Sequence, residues 1–285
     1  MLSYQHAYHA GNHADILKHY VLTSVIEHLN KKDKPYALYD THAGSGLYDL
    51  FDNRSLKTSE AERGILFLKN NLDQNPEQQN TLPQGFKNYL VLIEPFLSKN
   101  LYPGSPLIEL SLMRQSDVLT LSELHPAEIQ NLRTNIKSQC TAPSNAAKSV
   151  SIHNRSGWEM INALTPPAQK RGAILIDPSY EETQDYLDAA KTICAVHKKW
   201  TNGIIMLWYP LLTHRQTEIN AMVDEITGFV KKINENTSVD NYTLCAKEKE
   251  ESRMYGSGML VINTPWNLLQ EAAGVLDFLK SIFCS

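Results

Sequence analysis

The amino-acid sequence predicts an α/β protein built around a seven-stranded, mainly parallel sheet that ends in an antiparallel hairpin. Short runs rich in apolar and β-branched residues mark seven strands, at 36–40, 118–122, 149–153, 173–177, 203–208, 242–247 and 259–263. Stretches with helical periodicity separate the first six strands, including 126–137, 183–196 and 215–230. Such alternation is typical of parallel strands that are covered by helices on both faces. Only residues 248–258 join the last two strands, which indicates a hairpin at the end of a Rossmann-like sheet.

A long amphipathic helix precedes the first strand. Apolar residues recur at helical spacing from 14 to 30, and one stripe contains Leu17, Val21, Val25 and Leu29. Pro35 then prevents the helix from continuing. We therefore expect an N-terminal helical extension that packs against the sheet.

The beginning of this extension is crowded with polar side chains, namely His6, His9, Asn12, His13, Asp15 and His19. Histidines four residues apart on a helix can share a metal ion, so a metal site is one interpretation. However, Gly11-Asn12 interrupts the helix between His9 and His13, and no third ligand has a recognised spacing. We favour a site without metal, in which these groups line the mouth of a ligand site and Tyr4 meets a base or a phosphate.

The first predicted strand runs directly into a glycine-rich turn, Asp40-Thr-His-Ala-Gly44-Ser-Gly46. Glycines at this edge of a parallel sheet let the backbone pass close to a ligand, although packing alone also explains them. The sequence lacks the third glycine of a dinucleotide fingerprint and has no GK[ST] phosphate loop. Glu123 ends the second strand, where a carboxylate accepts hydrogen bonds from both hydroxyls of a ribose; helix capping is the alternative. Together the two features favour a ligand that contains adenosine.

Nearly 80 residues separate the first two strands, which is too many for a single crossover helix. Ser59 and Glu62 form a capping-box pattern that predicts the start of a helix of roughly 15 residues. A second helix is predicted over 84–99. We interpret residues 47–104 as a helical insertion within a single domain, 1–285, and it either helps to grip a polynucleotide or only decorates the sheet.

The most specific signal is Asp177-Pro-Ser-Tyr180, which follows the fully apolar fourth strand. It resembles the Asp-Pro-Pro-Tyr motif of methyltransferases that act on amino groups. The exocyclic amine of adenine is a poor nucleophile because its lone pair is delocalised into the ring. The Asp177 carboxylate and the Pro178 carbonyl can accept its two N–H bonds and favour the geometry that attacks a methyl group, which stabilises mainly the transition state. Tyr180 offers a face on which the base can stack; a plain Asp-Pro turn is the alternative.

Composition limits the remaining possibilities. A chain of 285 residues with 42% hydrophobic residues can bury one large core, and no stretch of about 18 apolar residues is present to span a membrane. The N-terminus lacks the layout of a signal peptide, and the four scattered cysteines form no CxxC pair, so we expect a reducing cytoplasm. The net charge of −4 argues against indiscriminate binding to nucleic acid but leaves room for a local basic surface.

Six motifs resemble, in order, those of the RlmJ family of ribosomal RNA methyltransferases. They are the run from Leu2 to His19, Asp40-Thr-His-Ala-Gly44, Tyr102-Pro-Gly-Ser-Pro106, Ser122-Glu-Leu-His-Pro126, Asp177-Pro-Ser-Tyr-Glu181 and Trp208-Tyr-Pro210. The resemblance implies a class I methyltransferase fold, the cofactor S-adenosylmethionine, and transfer of its methyl group to N6 of an adenine in 23S ribosomal RNA. It also implies a monomer without an obligate protein partner.

The resemblance carries over residue by residue. It implies that the cofactor is contacted by His19, His42, Gly44, Ser105, Glu123, Ser156, Gly157 and Asp177. It makes Asp177 catalytic, together with Pro178 and Tyr180, and it assigns Tyr4, Lys18 and Tyr180 to the substrate. Ser105-Pro106 is in addition a good pair for the cap and first turn of a helix whose amino end faces the cofactor.

The sequence departs from the family pattern at three positions. Ser179 replaces the second proline of the catalytic motif, and Ser156 stands where the family has an acidic residue beside the cofactor's adenine. Thr264 replaces the first proline of an Asn-Pro-Pro-Trp motif. Asp177 and Pro178 are retained, so we expect the chemistry to survive. Three other functions stay open: the same reaction on DNA adenine, a non-catalytic nucleic-acid-binding protein on this fold, and a metal-dependent hydrolase built on the histidines.

Overall fold

The computed structural model describes residues 4–246 and 253–284 and contains nine strands within them. They are β1 Ala37–Asp40, β2 Leu47–Asp49, β3 Leu101–Pro103, β4 Val118–Ser122, β5 Ser149–His153, β6 Gly172–Ile176, β7 Ile204–Leu212, β8 Val239–Cys245 and β9 Met254–Ile262. Seven of these strands form the central sheet in the order β5-β4-β1-β6-β7-β9-β8, and β2 pairs with β3 in a small separate sheet.

The order and direction of the strands are those of a class I methyltransferase. The first five strands of that order are parallel, whereas β9 is antiparallel to both β7 and β8. The prediction of a mainly parallel, seven-stranded Rossmann-like sheet with an antiparallel terminal hairpin is therefore confirmed. The strands β7 and β9 are longer than predicted, and the predicted end of the sixth strand at Lys247 lies outside the described residues.

Helices cover both faces of the sheet. They are α1 His13–Asn30, α2 Asn53–Thr58, α3 Glu60–Arg63, α4 Ile65–Gln74, α5 Pro76–Thr81, α6 Gln84–Leu97, α7 Ser105–Leu112, α8 Pro126–Cys140, α9 Gly157–Leu164, α10 Gln184–Lys199, α11 Gln216–Ile233 and α12 Trp266–Phe283, with a 3-10 turn at His6–Tyr8. Among the described residues, no helix has both the length and the apolar character needed to cross a membrane.

The alternation of side chains along β1 explains the two layers of helices. Leu38 points into a core that contains residues of α1, α6, α7, α8 and α12. Ala37 and Tyr39 point into a second core, which contains residues of α9, α10 and α11. Successive residues of a strand face opposite sides of a sheet, so a strand buried on both sides supplies both cores.

The segment 47–104 departs from its predicted structure in two respects. The strands β2 and β3, which join its two ends, were not predicted. A helix does begin directly after Ser59, as predicted, but the capping box with Glu62 is wrong: Ser59 has a left-handed backbone, with a φ of 53°, and its side chain makes no capping hydrogen bond to α3. The predicted 15-residue helix is instead broken into α3 and α4 at Gly64. There the Ile65 N–H donates to the carbonyl of Gly11 at 2.8 Å, so a tertiary contact overrides the local pattern.

Candidate active site

The carboxyl ends of three neighbouring strands bring together the acidic residues singled out in the sequence. Asp40 ends β1, Glu123 follows β4 and Asp177 follows β6, and β1 lies between the other two strands. Two cavities open at this edge, with volumes of about 250 and 490 Å³. Both are lined by Tyr4, His6, Lys18, Asp177 and Ser179. The two cavities therefore meet at Asp177.

The glycine-rich turn is fixed to Glu123. Gly44, whose φ is +58°, donates its N–H to Glu123 Oε2 at 2.8 Å, while His125 N donates to Oε1 at 2.7 Å. Burial raises the pKa of Glu123, and the two backbone donors partly oppose that effect. Each carboxylate oxygen keeps a second lone pair that can accept from a ligand hydroxyl. Glu123 thus both orders the turn and faces the first cavity.

Ser105 has a different role from the one that its position before Pro106 predicted. The cap of α7 is Gly104, and the Ser105 hydroxyl donates instead to Asp40 Oδ2 at 2.7 Å. The prediction that Ser105 caps the helix is therefore wrong, although Ser105 lies at the amino end of α7 and lines the first cavity. Asp40 is fully buried, and desolvation raises its pKa to about 7 despite this hydrogen bond.

His42 and Gly157 meet at the wall of the first cavity. The His42 ring shares a hydrogen bond of 2.7 Å with Thr41 Oγ1 and has its edge against Trp158, 5.1 Å away between ring centres. Burial lowers the pKa of His42 to about 4. A Cβ atom on Gly157 would lie only 2.2 Å from the carbonyl oxygen of Thr41, so only glycine lets α9 begin this close to the turn. Ser156 precedes it in the same lining.

A chain of charged groups connects Asp177 with the N-terminal segment. Lys18 Nζ donates to Asp177 Oδ2 at 2.5 Å and lies 2.9 Å from Asp15 Oδ1. Asp15 Oδ2 lies 2.9 Å from His6 Nε2, and Tyr4 OH is 2.9 Å from the other nitrogen of that ring. Although burial opposes its charge, the two carboxylates raise the pKa of Lys18. Lys18 therefore stays protonated and holds the side chain of Asp177 in place.

His19 lies behind this chain. It lines the first cavity, is almost completely buried, and shares a hydrogen bond of 2.8 Å with the hydroxyl of Tyr102 through Nδ1. Burial lowers its pKa to about 3, so the ring is neutral. Its Nε2 atom is buried and lacks a hydrogen-bond partner in the part of the chain that the structure describes. Over the same residues, no three histidine, cysteine or acidic side chains are arranged to hold a metal ion.

Tyr180 is not brought together with the other predicted catalytic residues. Pro178 lines the first cavity, but Tyr180 belongs to the linings of neither cavity described above. Its hydroxyl donates to the carbonyl of Trp208 at 2.9 Å, and its ring is packed 4.6 Å from that of Tyr186. The structure thus gives Tyr180 a packing role, and stacking of a base on it stays a prediction. The ring at the mouth of the site is Tyr4, which is 36% exposed and stacked on His9.

Sequence reasoning missed two functional contacts. The ion pair of Lys18 with Asp177 joins residues 159 positions apart, and no local pattern predicts it. The only local signal was the i,i+3 spacing of Asp15 and Lys18 on α1. Trp158, in the wall of the first cavity, was also missed, because one apolar ring at the start of a helix is ordinarily a core residue.

Comparison with known proteins places the chain in a family. The family model described as RsmJ, "Ribosomal RNA large subunit methyltransferase D, RlmJ", matches residues 33–285. The chain belongs to this family. It is 37% identical over 284 residues to ribosomal RNA large subunit methyltransferase J of Escherichia coli, covering 99% of this chain and 94% of that protein. It is 36% identical over 283 residues to the protein of the same name in Haemophilus influenzae, with coverages of 98% and 93%.

One solved structure is similar over nearly the whole chain. The crystal structure of protein LPL1258 from Legionella pneumophila is similar with a TM-score of 0.77 and 31% sequence identity. The similarity covers 96% of this chain and 94% of that one. The RlmJ family match begins only at residue 33, whereas these two relatives and this structure extend over nearly the whole chain, including most of the N-terminal extension that carries Lys18 and Asp15.

Proposed function

We propose that this chain transfers a methyl group from S-adenosylmethionine to N6 of an adenine in 23S ribosomal RNA. The observation that carries the proposal is that Asp177 lines both cavities, with Pro178 next to it in the lining of the first. An enzyme that joins a cofactor to a large acceptor needs two adjoining sites with the reacting groups between them. The family to which the chain belongs supports methyl transfer to ribosomal RNA.

The first cavity fits S-adenosylmethionine by the chemistry of its donors and acceptors. Glu123 supplies acceptors suited to ribose hydroxyls at the end of β4, where such folds hold a ribose. The buried atoms His19 Nε2 and Glu128 Oε1 have no partner among the described residues, and both side chains line this cavity. Buried polar groups are normally satisfied, so these atoms point to a polar ligand. Gly44 and Gly157 keep the backbone of the wall close to that ligand.

When bound there, S-adenosylmethionine supplies a methyl group that is activated by its sulfonium charge. The protein has to orient the nucleophile. The Asp177 carboxylate and the Pro178 carbonyl accept the two N–H bonds of the adenine amine, which directs the nitrogen lone pair towards the methyl group. Lys18 donates to Oδ2 of this carboxylate at 2.5 Å, so little reorganisation of Asp177 is needed when the substrate arrives.

The second cavity is suited to the target nucleotide. Its volume of about 490 Å³ is within the range of pockets that bury a ligand of this size. Apolar side chains form one part of its lining, namely Trp208, Pro210, Leu212 and Phe283. The base must leave its stack to reach Asp177, and Tyr4 at the mouth offers an exposed ring for it.

The test compares Asp177→Ala with Asp188→Ala, because Asp188 is on α10 outside the linings of both cavities. Each variant is incubated with labelled cofactor and with RNA and DNA oligonucleotides of matched sequence, and cofactor binding is measured by calorimetry. We expect Asp177→Ala to lose at least roughly a hundredfold to a thousandfold in kcat while it still binds the cofactor, and Asp188→Ala to behave as the wild type. Methylation by Asp177→Ala at the normal rate, or methylation of DNA in preference to RNA, would contradict the proposal.

A further inference from the structure

The second cavity contains residues that the methyl-transfer site does not use. Glu60 and Arg63, both from α3 of the segment 47–104, line it together with the apolar residues. This segment therefore contributes directly to the place where the substrate is expected, and it is more than a decoration of the sheet. The question is which part of a nucleotide these side chains meet.

The position of α3 is fixed by contacts with the N-terminal segment. Glu60 accepts a hydrogen bond of 2.9 Å from Asn12 Nδ2 and lies 2.9 Å from His9 Nδ1. A Cβ atom on Gly64 would lie 2.2 Å from the carbonyl oxygen of Gly11, so the two backbones are in direct contact there. The contacts of Glu60 and Gly64 thus fix the chain before and after Arg63, which lines the cavity.

Two strong cations, Arg63 and Lys18, line the second cavity, and they differ in whether a carboxylate neutralises their charge. Lys18 is neutralised by Asp15 and Asp177. Arg63 forms no ion pair with a carboxylate in the described part of the chain, and one of its nitrogens donates to the carbonyl of Thr58 at 2.7 Å. Its side chain is exposed, and a guanidinium has five N–H donors, so most of them remain for a ligand.

We propose that Arg63 binds a backbone phosphate next to the target adenosine and so fixes the RNA at the entrance to the second cavity. This inference rests on the proposed function. When the amine of a nucleotide reaches Asp177, its base fills the inner cavity and its phosphates lie towards the exposed mouth. Phosphate is the part of a nucleotide that a planar guanidinium recognises best, often with two parallel hydrogen bonds. Such contacts fix the position of the strand and carry no sequence information.

The first experiment compares Arg63→Gln with Lys69→Gln. Lys69 is on α4 of the same segment, is paired with Glu94 at 2.6 Å, and lies outside the linings of both cavities. Both variants lose one positive charge. We expect Arg63→Gln to raise KM for RNA about tenfold with kcat nearly unchanged, and to lower the slope of log affinity against log salt by about 1. Lys69→Gln should change neither, and Arg63→Lys should recover part of the loss.

A second experiment tests the phosphate itself. RNA oligonucleotides carry an uncharged methylphosphonate at the linkage 5′ or 3′ of the target adenosine, and their affinity is measured by fluorescence anisotropy without turnover. One of these linkages should weaken binding to the wild type about as much as Arg63→Gln does, and should have little further effect on that variant. Equal KM values and salt slopes for Arg63→Gln and Lys69→Gln would overturn the inference while leaving methyl transfer intact. Conversely, a wild type that binds RNA through Arg63 but methylates none of it would contradict the proposed function and leave the inference about Arg63 intact.

Discussion

Replacing Lys18 by methionine tests how much the buried ion-pair network contributes to stability. The side chains of Lys18, Asp15 and Asp177 are only 5%, 1% and 16% exposed, and the ammonium lies 2.5 Å from one carboxylate and 2.9 Å from the other. Removing the cation leaves the buried carboxylate of Asp15 and the half-buried carboxylate of Asp177 without it. Breaking a buried pair from one side costs about 3–5 kcal/mol, so the free energy of unfolding of Lys18→Met should fall by that amount. At about 2–4 °C per kcal/mol, Tm falls by roughly 10 °C.

The loss of stability in Lys18→Met should depend on pH. Although burial opposes its charge, His6 and Lys18 lower the pKa of Asp15, so its contribution is present above the usual carboxyl pKa and is lost as the pH falls through the lower folded value. The pKa of Lys18 is raised, so its contribution is complete below its usual value of 10.5. The difference between wild type and variant should therefore be constant from about pH 5 to pH 9 and should shrink in acid, where carboxylates without Lys18 become protonated.

Urea unfolding followed by circular dichroism measures the effect, with Lys69→Met as the control. Lys69 forms an ion pair of similar length with Glu94, but its side chain is 34% exposed and that of Glu94 is 51% exposed. Exposed pairs contribute between 0 and about 1 kcal/mol, so this control should unfold nearly as the wild type does. If Lys18→Met lost no more stability than Lys69→Met, the reasoning about buried charge would be refuted.

Three further predictions concern stability and cofactor binding. His197 is completely buried, both of its ring nitrogens lack a partner among the described residues, and burial lowers its pKa; His197→Leu should raise the free energy of unfolding by about 1 kcal/mol at pH 7.5. The gain should be larger at pH 5.5, because below the usual histidine pKa of 6.5 the imidazole of His197 binds a proton in the unfolded wild type but not in the folded one. Chemical denaturation at both pH values checks this. Gly64→Ala should cost about 1–3 kcal/mol in the same assay, whereas Gly228→Ala, whose added Cβ meets nothing within 4 Å, should leave stability unchanged or improve it. Glu123→Ala should weaken the binding of S-adenosylmethionine in calorimetry by at least about tenfold; unchanged affinity would remove Glu123 from the cofactor site.

Much of the fold was predictable because its signals are local. Strands such as β6 are short, apolar and bounded by turns, and the glycine-rich turn after β1 needs only the residues around Gly44 to be recognised. The break at Gly64 was not predictable, since Gly11, which Gly64 contacts, lies 53 residues away in sequence. Helix capping is worth about 1 kcal/mol, which one tertiary contact can outweigh.

In the candidate site, too, residues with a local sequence signal were predictable and contacts between distant residues were not. Asp177 and Glu123 were singled out because each follows a strand at the ligand edge of the sheet, whereas His42 was assigned from the family resemblance, and all three line the first cavity. Sequence placed Ser105 in the site but gave its hydroxyl the wrong partner, because Asp40 lies 65 residues away. The packing of Tyr180 against Tyr186 in the second core was not predicted, because it depends on how α10 packs, and stacking of a base on Tyr180 stays a prediction.

We propose that the carboxylate at position 177 presents an adenine amine of 23S ribosomal RNA to the methyl donor. The most direct measurement incubates the wild type and Asp177→Ala with a bare 23S transcript and isotopically labelled S-adenosylmethionine, then digests the RNA to nucleosides for mass spectrometry. We predict that the wild type labels N6-methyladenosine at a single position and that Asp177→Ala labels none. Label in a methylated cytidine or guanosine, or label in N6-methyladenosine that persists in Asp177→Ala, would contradict the account.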